Sequence, residues 1–257
     1  MAEKLPAGLP VQAPHEPLTD YYAGAAQKGE FVRELFDRTA GDYDRIERIL
    51  ALGTGAWYRG KALERAGLVP GMRVLDVGVG TGLVAREAAR IVGRAELVTG
   101  VDPSVGMMDQ AQLPQGLQLV EGVAEALPFP DASFDFLSMG YALRHISDLS
   151  VAFGEFHRVL RPGGRICLLE LSAPTSRAGR WLMRLYIKTL VPTLAFFVGR
   201  QKDTRRLWRY YWDTIDACAP PPRVAATLEA AGFSGVRVYN DLRGISIFSE
   251  YQGTRPL

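Results

Sequence analysis

The run Val74-Leu75-Asp76-Val77-Gly78-Val79-Gly80-Thr81-Gly82 constrains the fold of this chain more than any other segment. An apolar run ending in closely spaced glycines reads as a buried strand entering a tight turn. Helical spacing from Leu83 to Val92 then completes a strand, turn and helix. Glycines in such a turn adopt backbone angles that other residues avoid, and they let a ligand approach the main chain with no Cβ in the way. Their spacing also bears on the ligand. A dinucleotide fingerprint is G-x-G-x-x-G with a pyrophosphate against the helix N-terminus, and a phosphate-binding loop carries a lysine. This turn is G-x-G-x-G without a lysine, which disfavours NAD and ATP. Asp76, just before the turn, is placed to set the loop or to accept from an ammonium group. Asp102, at the end of the next apolar run, is placed to accept both hydroxyls of a ribose. The plainer alternative is a tight connection with a solvated acid at the next helix start.

The alternation continues downstream. Leu97 to Val101 is a second buried strand, and Ser104 is a good N-cap for a helix from Val105 to Gln112. Leu117–Glu121, Phe134–Ser138 and Arg165–Leu171 read as further strands, with a helix from Leu149 to Leu160 stopped at Pro162-Gly163-Gly164. This order predicts a parallel, doubly wound α/β sheet. Helix-spaced residues from Phe31 to Leu50, and a second segment from Gly55 to Ala66, predict an N-terminal helical cap over residues 31 to 70. An aromatic-rich helical insertion is expected over about 180 to 220. A helix from Arg223 to Ala231 then precedes a terminal hairpin of Val236–Tyr239 and Ile245–Tyr251. Residues 1 to 30, rich in proline and alanine without a period, read as a loosely ordered leader to a single domain over 31 to 257.

Composition narrows the partners. A formal charge of +2, with both signs interspersed, does not indicate a nucleic-acid surface and leaves a small molecule as the expected partner. Cys167 and Cys218 lack the spacing of a metal or redox site, so both read as reduced thiols and no metal is expected. The proline-rich start has no apolar core of a secretory signal, so a cytoplasmic location is expected. Trp181 to Val198, interrupted by Arg184, Lys188 and Pro192, falls at the lower limit for crossing a bilayer and does not read as transmembrane.

The glycine run, Gly100-Val101-Asp102-Pro103-Ser104, Ala124-Glu125-Ala126-Leu127-Pro128-Phe129 with Phe134-Asp135, and Leu160-Arg161-Pro162-Gly163-Gly164 together resemble the motifs of class I S-adenosylmethionine-dependent methyltransferases. The resemblance runs from about Phe31 to the C-terminus and implies a Rossmann-like, seven-stranded sheet with S-adenosylmethionine as cofactor. It places Gly78, Gly80 and Gly82 against the methionyl part, Asp102 on the ribose and Met107 or Met108 near the adenine. Val123, Ala124 and Glu125 fall at the adenine's edge. Many relatives carry Asp at the position of Val123 to hold the adenine amino group. Valine cannot accept that bond, which leaves it missing or supplied by Glu125.

Phe36-Asp37-Arg38-Thr39-Ala40-Gly41-Asp42-Tyr43-Asp44 with Gly53, Trp57 and Arg59, and Ala142-Leu143-Arg144-His145-Ile146-Ser147-Asp148, resemble the two signatures of the ubiquinone/menaquinone biosynthesis C-methyltransferase family. Glu47 and His145 each stand where asparagine is usual. The implied reaction is C-methylation of a phenolic or quinol-like ring in a hydrophobic acceptor. It needs a base near the ring hydroxyl, while the sulfonium is already activated. His145, titrating near neutrality just beyond the fourth strand, is the candidate base, with Arg144 beside it to steady an oxyanion. A helix-capping or cavity-wall histidine is the alternative. Tyr43 and Tyr141 are candidate substrate contacts or ordinary core aromatics. The apolar stripe Trp181, Leu182, Leu185, Tyr186, Leu190, Leu194, Phe196 and Phe197, flanked by Arg180, Arg184 and Lys188, reads as core, lid, dimer interface or peripheral membrane contact. An N- or O-methyltransferase of a lipid headgroup or secondary metabolite, and a cofactor-binding protein without turnover, remain as rival functions.

Overall fold

A computed structural model describes residues 12–50, 53–193, 204–240 and 247–257. At its centre, all four residues of β1 (Val74–Val77) are buried. β1 pairs in parallel with β2 (Val98–Asp102) on one edge and β4 (Phe134–Gly140) on the other. With both faces and both edges covered, only a near-continuous apolar run fits here. β3 (Gln118–Glu121), β5 (Leu160–Leu171), β6 (Ser234–Asn240) and β7 (Phe248–Thr254) complete a seven-stranded sheet in the order β3-β2-β1-β4-β5-β7-β6. β7 runs antiparallel to both β5 and β6, so the last two strands form the expected pair with β7 inserted beside β5.

The pleat sorts side chains onto two faces. Leu75 and Val77 meet Phe153 and Phe156 of α5 (Leu149–Val159), behind which lies α8 (Pro221–Ala230). Val74 points the other way, toward Ala85 and Ala88 of α3 (Leu83–Val92) and Leu63 of α2 (Gly55–Arg65). β5 begins five residues before the expected Arg165, through the Pro-Gly-Gly stop. Its early residues are recruited by the distant C-terminus, where Gly163 N–H donates to Arg255 O and Arg255 N–H to Gly164 O, each at 2.8 Å.

α1 (Ala25–Leu50) starts six residues before the expected helix. With α6 (Arg177–Leu185), its π-helical continuation Tyr186–Leu190 and α7 (Thr204–Ala217), it forms the cap. Val32, Leu35, Ile187, Val191, Leu207 and Tyr210 bury one another there. Leu194, Phe196 and Phe197 of the expected stripe, and Ile245 of the expected last strand, lie outside the described residues. The segment expected as a loose leader is tied down from Gln12 onward. Leu149 N–H donates to Gln12 O at 3.0 Å and Ala219 N–H to Pro14 O at 2.6 Å, while His15 and Tyr22 are buried. Among the described residues no helix is long and apolar enough to cross a membrane.

Phe156 is fully buried between α5 and the sheet, so Phe156→Ala is expected to cost about 3–5 kcal/mol by chemical denaturation. A loss below about 1 kcal/mol would show that this face of the sheet collapses around the missing ring.

Candidate active site

The carboxyl ends of β1, β2, β3 and β4 meet the cap around a cavity of about 490 Å³. Its floor is the glycine turn. Gly78, Gly80 and Gly82 all have left-handed φ, at 67°, 53° and 81°. The turn is fastened to β2: Gly78 N–H and Val79 N–H both donate to Val101 O, at 2.8 and 3.1 Å. A Cβ on Gly78 would lie 2.6 Å from Ala142 Cβ, and one on Gly82 would lie 2.3 Å from Leu113 Cδ2. Gly78 and Gly80 line the cavity, whereas Gly82 serves the turn and its packing on Leu113.

Asp102 accepts from Gly80 N–H and Ser104 N–H, each at 2.8 Å, one through each carboxylate oxygen. An ionised carboxylate accepts about four bonds, so capacity for two hydroxyls remains. Burial pushes its carboxyl up to about 6, against the pull of those two amides. Asp76 accepts from Ser138 Oγ at 2.7 Å, and burial pushes it up to about 7. Met107 is buried and lines the cavity next to Gly80, while Met108 packs instead into the α2–α3 cluster. Val123, 43% exposed, lines the cavity with Ala124 and Glu125. Glu125 Oε1 is engaged by Ser147 N–H at 2.6 Å, which leaves its second oxygen for a ligand amino group.

The other end of the cavity is aromatic. Phe36 and Tyr43 of α1, Tyr141, His145 and Tyr211 line it. Tyr43 and Tyr211 share a hydrogen bond of 2.8 Å, and burial raises both hydroxyls, so they stay neutral. Tyr141 sits at a left-handed φ of 61°, a strained angle for an aromatic residue, with its N–H donating to Leu169 O at 2.7 Å. His145 packs its ring on Tyr210 and against the edge of Phe36. Its Nδ1 lies 3.2 Å from Tyr210 Oη, and its Nε2 is buried without a partner among the described residues. Burial, with the charges of Arg144 and Lys28, holds His145 well below its ordinary value, so the expected titration near neutrality is corrected: the ring is uncharged at pH 7.

Arg144 also departs from expectation. It is fully buried, does not line the cavity, and forms an ion pair with Glu170 at 2.5 Å with its guanidinium 4.5 Å above the Tyr211 ring. Burial would depress its proton affinity, but Glu170 and the two tyrosines reverse this and keep it charged. Rather than steadying an oxyanion, it braces Tyr211 and, through an Nη1 bond of 2.7 Å to Tyr141 O, the strained end of β4.

Sequence reasoning missed the ties between α1 and this site. Asp37 accepts from Ser104 Oγ at 2.6 Å, Asp44 accepts from Thr81 Oγ1, and Glu47 pairs with Arg59 at 2.7 Å. Lys28 is buried and donates to Ile146 O at 2.8 Å and Arg144 O at 3.2 Å; burial lowers it to about 8. Asp37, Asp44 and Glu47 recur at spacings of seven and three, a helical-face signal, whereas nothing local marks Lys28.

A Rossmann-like sheet with this turn, a ribose-type acid and an enclosed aromatic chamber has the form of a methyltransferase, and the comparisons agree. The chain matches the ubiE/COQ5 methyltransferase family over residues 24–252. It is 34% identical over 218 residues to the demethylmenaquinone methyltransferase of Symbiobacterium thermophilum, covering 80% of this chain and 86% of that one. To the ubiquinone/menaquinone biosynthesis C-methyltransferase UbiE of Syntrophotalea carbinolica it is 34% identical over 235 residues, covering 89% and 96%. In three dimensions it is similar to an S-adenosylmethionine-dependent methyltransferase of Thermotoga maritima, with a TM-score of 0.60, 22% identity and coverage of 86% and 99%. It is also similar to Haemonchus contortus phosphoethanolamine N-methyltransferase 2, with a TM-score of 0.56, 18% identity and coverage of 78% and 53%. These two show the shared fold. The protein is an S-adenosylmethionine-dependent methyltransferase. It belongs to the ubiE/COQ5 methyltransferase family.

Burial raises both cavity carboxyls, so each takes up a proton as pH falls through about 7 for Asp76 and about 6 for Asp102. Ligand ammonium and hydroxyl groups need the ionised acceptors. Affinity for S-adenosylhomocysteine is therefore expected to be full above about pH 8 and to decline below it, with Asp102→Asn flattening the lower step. Calorimetric titration across this window checks the sign, and a flat profile would remove both carboxylates from the contact.

Proposed function

We propose that this enzyme methylates a ring carbon of a hydrophobic, quinol-like acceptor. The observation that carries the reading is the aromatic chamber of Phe36, Tyr43, Tyr141, His145 and Tyr211, continuous with the glycine turn and holding an uncharged histidine. Flat apolar walls with a few polar groups suit a hydroxylated ring. The demethylmenaquinone methyltransferase relative acts on a molecule of that kind by its name. Headgroup amine methylation fits less well, because a cationic amine would face Lys28 and Arg144 close behind the chamber wall.

The cofactor, when bound, supplies a methyl already activated as a sulfonium. Gly78 and Gly80 leave room for it against the main chain, Asp102 takes the ribose hydroxyls, and Met107, Val123, Ala124 and Glu125 flank the adenine. His145 accepts the ring hydroxyl's proton as the ring carbon takes up the methyl and the methyl–sulfur bond breaks; that carbon's own proton is then lost and the oxygen reprotonated, which restores the aromatic ring. Being neutral at pH 7, it needs no prior deprotonation, and the enclosed chamber excludes water from the sulfonium. Tyr43 and Tyr211 share one hydrogen bond, so whichever hydroxyl accepts it keeps its own proton to donate to a ring oxygen. Replacing His145 by Ala is expected to lower kcat by about 100-fold or more with S-adenosylhomocysteine affinity unchanged. An unaltered kcat would leave His145 a wall residue.

We further propose that α6 contacts a membrane surface. Trp181 and Leu182 of α6 are 65% and 61% exposed, Leu185 and Leu190 are also exposed, and Arg177, Arg180 and Arg184 stand beside them with no acidic residue from Arg177 to Thr193. An amphipathic helix of this kind lies on anionic lipid. Binding to vesicles containing anionic lipid is expected to fall several-fold in a Trp181→Ser, Leu185→Ser variant. Dimer dissociation in place of vesicle loss would assign the face to a second copy.

A further inference from the structure

Arg59 is the buried cation of the cavity, and the reading above gives it no task. It extends from α2 and is 3% exposed, yet it lines the same space as Asp76 and Gly78. The other arginine of the lining among the described residues, Arg33, is exposed on α1. Arg59 spends Nη1 on Glu47, and its Nε is buried with no partner among the described residues. A buried charged donor left unmade is costly, and a guanidinium offers a second edge whose geometry matches a carboxylate. Its electrostatic neighbours are Asp76 and Tyr141, so it faces the end of the cavity where β1 and β4 deliver their last residues. The start of its own helix, one turn earlier, is kept bare for it. A Cβ on Gly55 would lie 2.6 Å from Glu47 Oε1 and 3.0 and 3.1 Å from the two terminal nitrogens of Arg59.

The amino-acid end of the cofactor is a zwitterion, so its site must offer one anion and one cation. We infer that Arg59, oriented by Glu47, binds the α-carboxylate of the cofactor's methionyl end, while Asp76 receives its ammonium. This rests on the cofactor assignment and adds the group that selects the tail. Glu47, where the family signature has asparagine, holds the guanidinium by charge as well as by hydrogen bond and keeps the pair neutral until the ligand arrives.

The test compares two ligands in calorimetric titrations of the full chain: S-adenosylhomocysteine, and 5′-methylthioadenosine, which has the same nucleoside and sulfur but no amino-acid tail. Arg59→Gln is expected to weaken the first by about 10- to 100-fold, the range of a charge-assisted contact, and to leave the second unchanged. Arg59→Lys should recover part of the loss. Gly55→Ala, which disturbs the pair without altering charge, should reproduce a smaller loss with the same selectivity, and it carries the test should Arg59→Gln fail to fold. Parallel weakening of both ligands would make Arg59 structural, and unchanged affinity for S-adenosylhomocysteine would also overturn the assignment. If the wild-type chain bound neither ligand, the cofactor assignment itself would fall, and the role of Arg59 with it.

Discussion

The structure depends on how β1 ends. Its last residue gives way to glycines whose left-handed angles turn the chain back on itself, and the turn is fastened to β2 by two amides on one carbonyl of Val101. The same fastening puts Asp102 where Gly80 N–H can reach it, so the neighbouring strand supplies both the anchor and the acid. Side chains at Gly78 or Gly82 would collide with Ala142, in the loop after β4, and Leu113, in the loop after the helix Val105–Asp109. Two loops and the end of β2 are thus adjusted to one stretch of bare backbone, and the cavity is the space that this adjustment leaves.

A second constraint lies behind the aromatic chamber. Arg144 and Glu170 bury opposite charges, and a pair of this sort contributes less to net stability than to holding its surroundings in one arrangement. Here the surroundings are the Tyr211 ring, the carbonyl of Tyr141 and the peptide that presents His145. The charge also bears on His145 directly. A cation fixed close by keeps the imidazole neutral, so the same residue that shapes the wall sets the protonation state of the group within it.

Much of the fold was legible in the sequence because the decisive signals are local. Val74 to Gly82 carries its strand and turn in consecutive residues, and Ser104 and Asp148 cap their helices through amides two or three residues away. What was missed is long-range. β5 begins early because Arg255 pairs with the Pro-Gly-Gly segment, and the leader is held by partners more than a hundred residues distant. The site divides the same way. Asp76, Asp102 and the glycines are marked by their spacing along the chain, and Met107 by the family resemblance. The burial of Arg144, the low proton affinity of His145 and the contacts of Lys28 depend on α1 and α7 closing over the sheet, which no neighbouring residue announces.

Helix α1 touches both halves of the cavity. Asp37 and Asp44 hold the loops that surround the cofactor end, and Lys28, two to four turns earlier, grips the peptide on either side of His145. A rigid rod pinned at two places transmits load between them. The spacing between the cofactor end and the aromatic chamber is therefore fixed by the pins along this helix. The distance a methyl group must cross is thereby set by one helix that touches both chambers rather than by either chamber alone.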